Sequence, residues 1–241
     1  MTADPAVAHA IRDLVIANRI LAREGIIDDF GHVSVRHPRE PGRYFLSRSR
    51  SPEIVTAEDI VELTLEGEPV HPETRKLYAE RALHGAIYMA RPDVNAVSHH
   101  HARSVIPFTV TDLPLKPIFH MASVIGPEVP KWDSRDEFGD TNMLVDDLDK
   151  GRSLARALGQ GTTVILRGHG SACAAASLAA VCFISVYLSE NAKVVLETLP
   201  HGKPSYLSPG EVAMTGKMLL GEMPMARAWD YYKARAGFQA L

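Results

Sequence analysis

Three consecutive histidines lie inside the chain, in the segment NAVSHHHARSV at residues 95–105. Its first residues predict a strand, in which neighbouring side chains alternate between the two faces. His99 and His101 would then point the same way and chelate one ion, whereas His100 would point to the opposite face. Because the run is internal, it is not a purification tag. Either the three histidines lie on the surface without a function, or some of them hold a metal ion.

A third imidazole comes from His169, in the segment ILRGHGSA at the end of a predicted buried strand. The flanking Gly168 and Gly170 allow close approach of the backbone. A catalytic zinc site typically has three protein ligands and one open position for water or substrate. The alternative is that each histidine is separately a surface or core residue.

A carboxylate lies in AERALHGAIY, where Glu80 and His84 are one turn apart on one face of a predicted helix. That helix leads into the histidine strand, so Glu80 can reach the ion as a fourth ligand or act as an acid-base group. The alternative is a solvated salt-bridge face.

Hydrophobic spacing predicts a helix over residues 6–24 and a helix of about 17 residues that ends before Pro92. Residues 113–126 and 131–144 have no clear pattern. With no internal repeat or linker, the chain reads as a single α/β domain over residues 1–241. The other predicted elements are a hairpin formed by the strand at Val33 and Val35 and the segment GRYFLSRS, a capped turn and strand in TAEDIVELTLEGEPV, a short helix in DKGRSLARALGQG, a buried strand in TTVILRGHG, a long apolar helix in SLAAVCFISVYLSENAKVVLETL, and two helices in the C-terminal tail.

Composition narrows the class of protein. The formal net charge of -3 and the scattered Lys and Arg residues argue against nucleic-acid and membrane-surface partners. No apolar run reaches the roughly 18 residues that a membrane span needs, and the N-terminus does not read as a signal peptide. The two cysteines, Cys173 and Cys182, form no disulfide framework, which indicates a reducing compartment. We therefore expect a cytoplasmic protein.

The segments GHVSVRHP, AERALHGAIYMARPDVNAVSHHHA and ILRGHG followed by a long helix resemble the class II aldolase/adducin family. The resemblance extends from about residue 8 to residue 200. It implies a three-layer α/β/α fold with a central, mainly antiparallel sheet, and a divalent metal in a cleft between neighbouring subunits of a homotetramer. His99, His101 and His169 match the family's metal ligands, and Glu80 matches the catalytic acid-base carboxylate, which can also coordinate the ion.

Departures from the family pattern narrow the substrate. Phosphate-using members have Gly-Asn where this chain has Gly31 and His32, and Ser-Ser where it has Tyr78 and Ala79. The serine hydroxyls donate hydrogen bonds to phosphate in such members, whereas alanine has no donor and the tyrosine hydroxyl lies farther out. A sugar-phosphate substrate is therefore disfavoured.

Two further departures concern the catalytic proton donor and the residues that could bind a substrate carboxylate. The aldolases have a catalytic tyrosine where this chain has His120, in IFHMASVIG. The segment LSRSRSPE carries Arg48 and Arg50, and arginine suits bidentate recognition of carboxylates. The alternative for the two arginines is a solvated strand edge.

Together with WDSRDEFGDTNMLV, these changes resemble a branch of the family that decarboxylates hydroxylated aromatic dicarboxylates, namely 3,4-dihydroxyphthalate or 3-hydroxy-2-methylpyridine-4,5-dicarboxylate. In that interpretation Glu80 moves the ring proton and His120 assists. The substrate-binding residues are His32, Arg48, Arg50 and Tyr78. Zn and Mn are the expected metals, and Fe and Co also suit three imidazoles. The other hypotheses are an aldolase for a non-phosphorylated hydroxy-keto substrate and a non-catalytic, adducin-like module.

The tail ARAWDYYKARAGF has two interpretations. Trp229, Tyr231 and Tyr232 either pack the last helix on the core or close over a flat substrate in a neighbouring subunit.

Overall fold

The computed structural model describes residues 4–238 of the chain. Seven strands lie within this range, and they are β1 His32–Arg36, β2 Arg43–Ser47, β3 Ile60–Thr64, β4 Ala96–His100, β5 Lys131–Trp132, β6 Thr163–Leu166 and β7 Gly170–Ala175. The α-helices of the same range are α1 Pro5–Arg23, α2 Arg81–Ala90, α3 Ile106–Thr109, α4 Arg135–Phe138, α5 Leu148–Leu158, α6 Leu178–Thr198, α7 Pro209–Leu219 and α8 Glu222–Arg235.

All seven strands form one sheet in the order β3-β2-β1-β4-β7-β6-β5. The pairings are antiparallel except at the edge, where β5 runs parallel to β6. The predicted hairpin of β1 and β2 is present, with Val35 opposite Phe45. The prediction of a mainly antiparallel sheet is confirmed.

Helices cover both faces of the sheet, as the three-layer prediction requires. Strand alternation sends Ala96 into a core that it shares with α1, α6 and α8, and sends Val97 into a second core with α2 and α5. Helix α6 is the central element of the first core. By length and composition it meets the criteria for a membrane span, but 72% of its most apolar window is buried inside the protein, as in a core helix of a folded domain.

The C-terminal aromatic residues divide between core and surface. Tyr232 is buried, Trp229 is partly buried against the α1 and α6 core, and Tyr231 is 56% exposed. Packing of the last helix therefore accounts for two of the three rings.

Two predictions about the elements are wrong. The helix before the histidine strand has 10 residues rather than about 17, because residues 73–79 are not helical and Glu80 is the N-cap of α2. Strand β7, which lies between β4 and β6, was not predicted. Its sequence GSACAA is poor in the β-branched and aromatic residues that mark strands, and the small side chains let α6 approach the sheet closely.

Candidate active site

The histidines predicted to share an ion come together at one end of the sheet. His99 is in β4, His101 follows the end of that strand, and His169 lies in the tight turn between β6 and β7. One ring nitrogen of each lies within 4.8 Å of the other two. His100 points to the opposite face, where its ring is 3.1 Å from Ser171 Oγ. The alternation of the strand thus separates His100 from the cluster.

Hydrogen bonds orient two of these rings. His99 Nδ1 lies 3.1 Å from the Ser171 carbonyl oxygen, which can only accept, so Nδ1 carries the proton. His101 Nδ1 donates in the same way to the Asp28 carboxylate, at 3.0 Å. In both rings the lone pair is therefore on Nε2. The Nε2 of His99 is buried and has no hydrogen-bond partner among residues 4–238. A buried acceptor of this kind needs a ligand.

Glu80 projects its carboxylate toward the same point. Its Oε1 accepts a hydrogen bond from the Val145 backbone N–H at 2.9 Å. Its Oε2 lies 3.4 Å from His99 Nε2 and 3.7 Å from His169 Nε2. Burial raises the pKa of Glu80, but positive charge at the neighbouring histidines outweighs burial and holds that pKa well below its ordinary value; where those rings are neutral, a bound cation would supply the charge. Glu80 is therefore a carboxylate, although a general acid would need a raised pKa.

The donor set fits a divalent cation. Burial lowers the pKa of His169 to about 4 and lowers the pKa of His101, so both rings are neutral and able to donate a lone pair near neutral pH. Three imidazoles with a carboxylate beside an open position are a typical arrangement for Zn, and they also suit Mn, Fe and Co.

A cavity of about 400 Å³ opens onto the cluster, which is within the range of small-molecule sites, about 300–1,000 Å³. Its lining includes His101, His169 and Glu80, together with the apolar side chains of Phe30 and Leu144. Two of the three predicted ligands, His101 and His169, and the carboxylate therefore face a space of suitable size for one small molecule, whereas His99 is not among the lining residues.

His32 and Tyr78 both line this cavity. The His32 ring packs against Tyr78 at a centroid distance of 4.5 Å and against His99 at 5.2 Å. The Tyr78 hydroxyl donates a short hydrogen bond to the Arg50 carbonyl oxygen. Tyr78 therefore lines the cavity with its hydroxyl already engaged by a backbone carbonyl oxygen.

The two arginines share one partner. Arg48 Nε is 2.7 Å from Asp59 Oδ1, and Arg50 Nε is 3.0 Å from Asp59 Oδ2. Arg50 lines the cavity, whereas Arg48 does not. Arg48 is thus placed to hold Asp59, and Asp59 in turn holds Arg50. Both predicted arginines therefore reach the same carboxylate, but only Arg50 is positioned to meet a ligand.

His120 lies apart from the cluster. It is exposed and begins a 3-10 helix, His120–Ile125, and it is not among the residues that line the cavity. Within one chain the structure does not bring it to the histidines.

Four residues with a role at the site were not recognised in the sequence as site residues. Asp28 holds His101, and Ser34, His84 and Tyr88 form a buried hydrogen-bonded chain to His32. The only sequence signal for Asp28 was its place in a polar turn before β1, where its side chain accepts hydrogen bonds from the Phe30 and Gly31 N–H groups.

Replacing Asp28 with asparagine is expected to weaken metal binding by about 10–100-fold, the usual cost of losing a carboxylate that accepts a hydrogen bond from a ligand histidine. An amide N–H₂ facing His101 would favour the tautomer with its proton on Nε2, which cannot bind an ion. Metal affinity is measured by competition with a chromogenic chelator. Asp29→Asn is the matched control, because Asp29 lines the same cavity without bonding His101 in the structure. Equal losses in both variants would indicate a general charge effect instead.

Similarity to known proteins supports the fold and the family. A family model described as Class II Aldolase and Adducin N-terminal domain matches residues 12–196. The decarboxylase tropJ of Talaromyces stipitatus is 30% identical over 246 aligned residues, covering 92% of this chain and 92% of that protein. A 3,4-dihydroxyphthalate decarboxylase of Arthrobacter keyseri is 30% identical over 186 residues, covering 71% of each chain.

Among solved structures, an L-fuculose 1-phosphate aldolase from Glaciozyma antarctica superposes with a TM-score of 0.79 at 23% identity, covering 95% of this chain and 89% of the other. At that identity the match concerns the fold alone. The matched region of the family includes Glu80, His99, His101 and His169. The chain therefore belongs to the class II aldolase and adducin family.

Proposed function

We propose that this protein is a divalent-metal-dependent decarboxylase of a hydroxylated aromatic dicarboxylate. The observation that carries the proposal is the position of the Glu80 carboxylate, 3.4 Å from His99 Nε2 at the end of a cavity that Tyr78 and Ala79 line in place of phosphate-binding hydroxyls. The names of two relatives, tropJ and the Arthrobacter enzyme, support the same class of reaction.

His99, His101 and His169 would hold the ion. A divalent cation in that position stabilises negative charge on the oxygens of a substrate. Such charge develops on the ortho hydroxyl oxygen when a neighbouring ring carbon loses carbon dioxide. The tautomers of His99 and His101 already leave Nε2 free for this role.

Glu80 would move the proton. Glu80 is ionised in the resting site, so it can first accept the proton of the ortho hydroxyl and then return that proton to the ring carbon that bears the carboxylate. The substrate thus supplies the proton that the reaction needs. With these two successive proton transfers, Glu80 can act as a general acid toward the ring carbon although it begins the reaction as a carboxylate.

Arg50 would bind the carboxylate that is retained, because it lines the cavity and Asp59 fixes its guanidinium. Arg48 would hold Asp59 in position through its own ion pair with that carboxylate. Neutral His32 and the ring of Tyr78 would contact the substrate ring and its oxygens.

The test is to load the purified protein with Mn or with Zn, add 3,4-dihydroxyphthalate or 3-hydroxy-2-methylpyridine-4,5-dicarboxylate, and follow release of carbon dioxide. Release of carbon dioxide from either compound supports decarboxylation, and the compound that reacts identifies the substrate ring as benzene or pyridine. Release of an aldehyde from a hydroxy-keto acid, with no carbon dioxide released from either aromatic acid, would favour the aldolase hypothesis, which the family also supports. Failure to bind metal would favour a non-catalytic module.

We also propose that the active form is a homotetramer in which His120 serves the cavity of a neighbouring subunit. The support is that His120 is exposed and is not among the residues that line the cavity of its own chain. The buried free thiols of Cys173 and Cys182 are compatible with a cytoplasmic enzyme.

Mixing two inactive variants tests the placement of His120. His120→Ala and Glu80→Gln are each expected to lack activity as pure proteins, and subunit exchange between them is expected to restore part of it. Restoration follows because a head-to-tail interface can combine an intact Glu80 from one chain with an intact His120 from the next. Activity is assayed after mild dissociation and reassociation. Two variants that never complement each other would contradict a role across the interface.

A further inference from the structure

A chain of buried polar groups runs from the cavity into the core behind it. His32 Nδ1 is 2.7 Å from His84 Nε2, and His84 Nδ1 is 2.6 Å from Ser34 Oγ. Ser34 Oγ is in turn 2.8 Å from the Tyr88 hydroxyl. All four residues are at most 1% exposed. The chain thus connects a cavity residue to a tyrosine that touches neither the cavity nor the histidine cluster.

The Tyr88 hydroxyl determines the direction of these hydrogen bonds. Among residues 4–238, Ser34 Oγ is the only acceptor within hydrogen-bonding distance of it. A buried hydroxyl that donates to nothing is costly, so Tyr88 donates to Ser34. Ser34 has a single proton, which it then donates to His84 Nδ1.

The direction continues through the two rings. Both rings are buried, and the hydrogen bonds that the structure gives them are to each other and to Ser34 Oγ, so each ring is neutral and carries one proton. Since His84 Nδ1 accepts from Ser34, the His84 proton is on Nε2 and is donated to His32 Nδ1. The His32 proton is therefore on Nε2, the nitrogen left to face the cavity.

We propose that Tyr88, Ser34 and His84 are positioning residues that hold His32 as a neutral hydrogen-bond donor, with its N–H directed at an acceptor oxygen of the substrate. This inference rests on the proposed function only for the identity of the substrate. The protein would then favour ligands that place a carboxylate or phenolic oxygen at this end of the cavity, and it would disfavour ligands that place an N–H donor there.

The tautomer can be measured without substrate. The protein is labelled with ¹⁵N-histidine, and two-bond ¹⁵N–¹H correlations report which ring nitrogen carries the proton. The signals of His32 are assigned by their absence from His32→Gln. We expect the wild-type His32 to show a protonated Nε2 and an unprotonated Nδ1. A protonated Nδ1 in the wild-type protein would overturn the proposal.

Two matched tyrosine variants test whether Tyr88 determines the tautomer of His32. Tyr88→Phe removes the first donor of the chain and is expected to shift part of the His32 population to the Nδ1–H tautomer. Tyr44→Phe is the control, because Tyr44 is equally buried in the same core but donates to the Arg81 carbonyl oxygen instead. A His32 tautomer that is unchanged in Tyr88→Phe, or equally changed in Tyr44→Phe, would contradict the assignment.

Kinetics separates this role from a purely structural one. In Tyr88→Phe the KM for the aromatic acid is expected to rise by the inverse of the remaining Nε2–H fraction, with kcat nearly unchanged. His32→Gln keeps a side-chain N–H donor and is expected to retain more affinity than His32→Leu. Equal losses in these two variants would contradict a donor role. If the wild-type protein releases no carbon dioxide, the proposed function fails, whereas the tautomer measurement is still decisive for the positioning chain.

Discussion

Glu80→Gln is expected to lower kcat for decarboxylation by about 10²–10⁴-fold, the usual contribution of a positioned acid-base group. Glutamine keeps the size of the side chain and an oxygen that can accept from the Val145 N–H, as Oε1 does in the structure. It cannot take up a proton from the substrate hydroxyl or return it to the ring. The loss is therefore expected in turnover and not in folding.

The measurement is kcat at saturating metal, together with the metal content of the purified variant. A variant with weakened metal binding but near-normal kcat at saturation would show that Glu80 acts as a ligand and not in proton transfer. Glu137→Gln is a suitable control. Glu137 bonds Ser153 and Arg156 and is not among the residues that line the cavity, so its replacement is expected to leave kcat unchanged.

His99→Gln is expected to reduce metal affinity by more than about 100-fold, because loss of an outer-shell partner alone typically costs about 10–100-fold. The ring of His99 is fully buried, and its unpartnered Nε2 faces both Glu80 and His169. Without this ligand the ion would keep two imidazoles, of which His101 is the more exposed. Activity is expected to disappear with the metal.

His100→Gln is the matched control, since it is the next residue of the same strand and equally buried. His100 bonds Ser171 Oγ on the opposite face, so its replacement is expected to lower the free energy of unfolding by about 1–3 kcal/mol while leaving the metal in place. Metal content and urea unfolding are measured for both variants. A loss of metal in His100→Gln equal to that in His99→Gln would contradict the assignment of ligands by strand face.

A chelator extends the comparison. A bound ion stabilises the folded state by RT ln(1 + [L]/Kd), so removing it is expected to lower Tm in the wild-type protein and in His100→Gln. The Tm of His99→Gln is expected not to respond. A similar decrease in all three proteins would indicate that the ion binds elsewhere.

Local sequence rules predicted the parts of the site that depend on one element. Alternation along β4 separates His99 from His100 by the geometry of an extended strand alone. The glycines around His169 marked the turn between β6 and β7, in which Gly168 has a φ of +62°. Helix α2 was misjudged at its start, because the apolar spacing continues back through residues 73–79, which are not helical in the structure.

Local sequence rules could not predict the contacts between segments that are distant in the sequence. Nothing near Arg48 or Arg50 in the sequence shows that both would bind Asp59, and nothing near His101 shows that Asp28 would hold its ring. Strand β7 was also missed, since its small residues form a strand only because β4 and β6 pair with them from both sides.

The sequence by itself determined the residue types of the candidate metal site, the face of the strand that carries the predicted ligands and the family to which the segments belong. Only the tertiary structure decided that Glu80 is an ionised carboxylate at the histidines, that Arg50 and not Arg48 faces the cavity, and that a buried chain orients His32. The physical reason is that protonation, tautomer and orientation depend on burial and on hydrogen-bond partners. Those partners come from parts of the chain that only the folded sheet and its helices bring together.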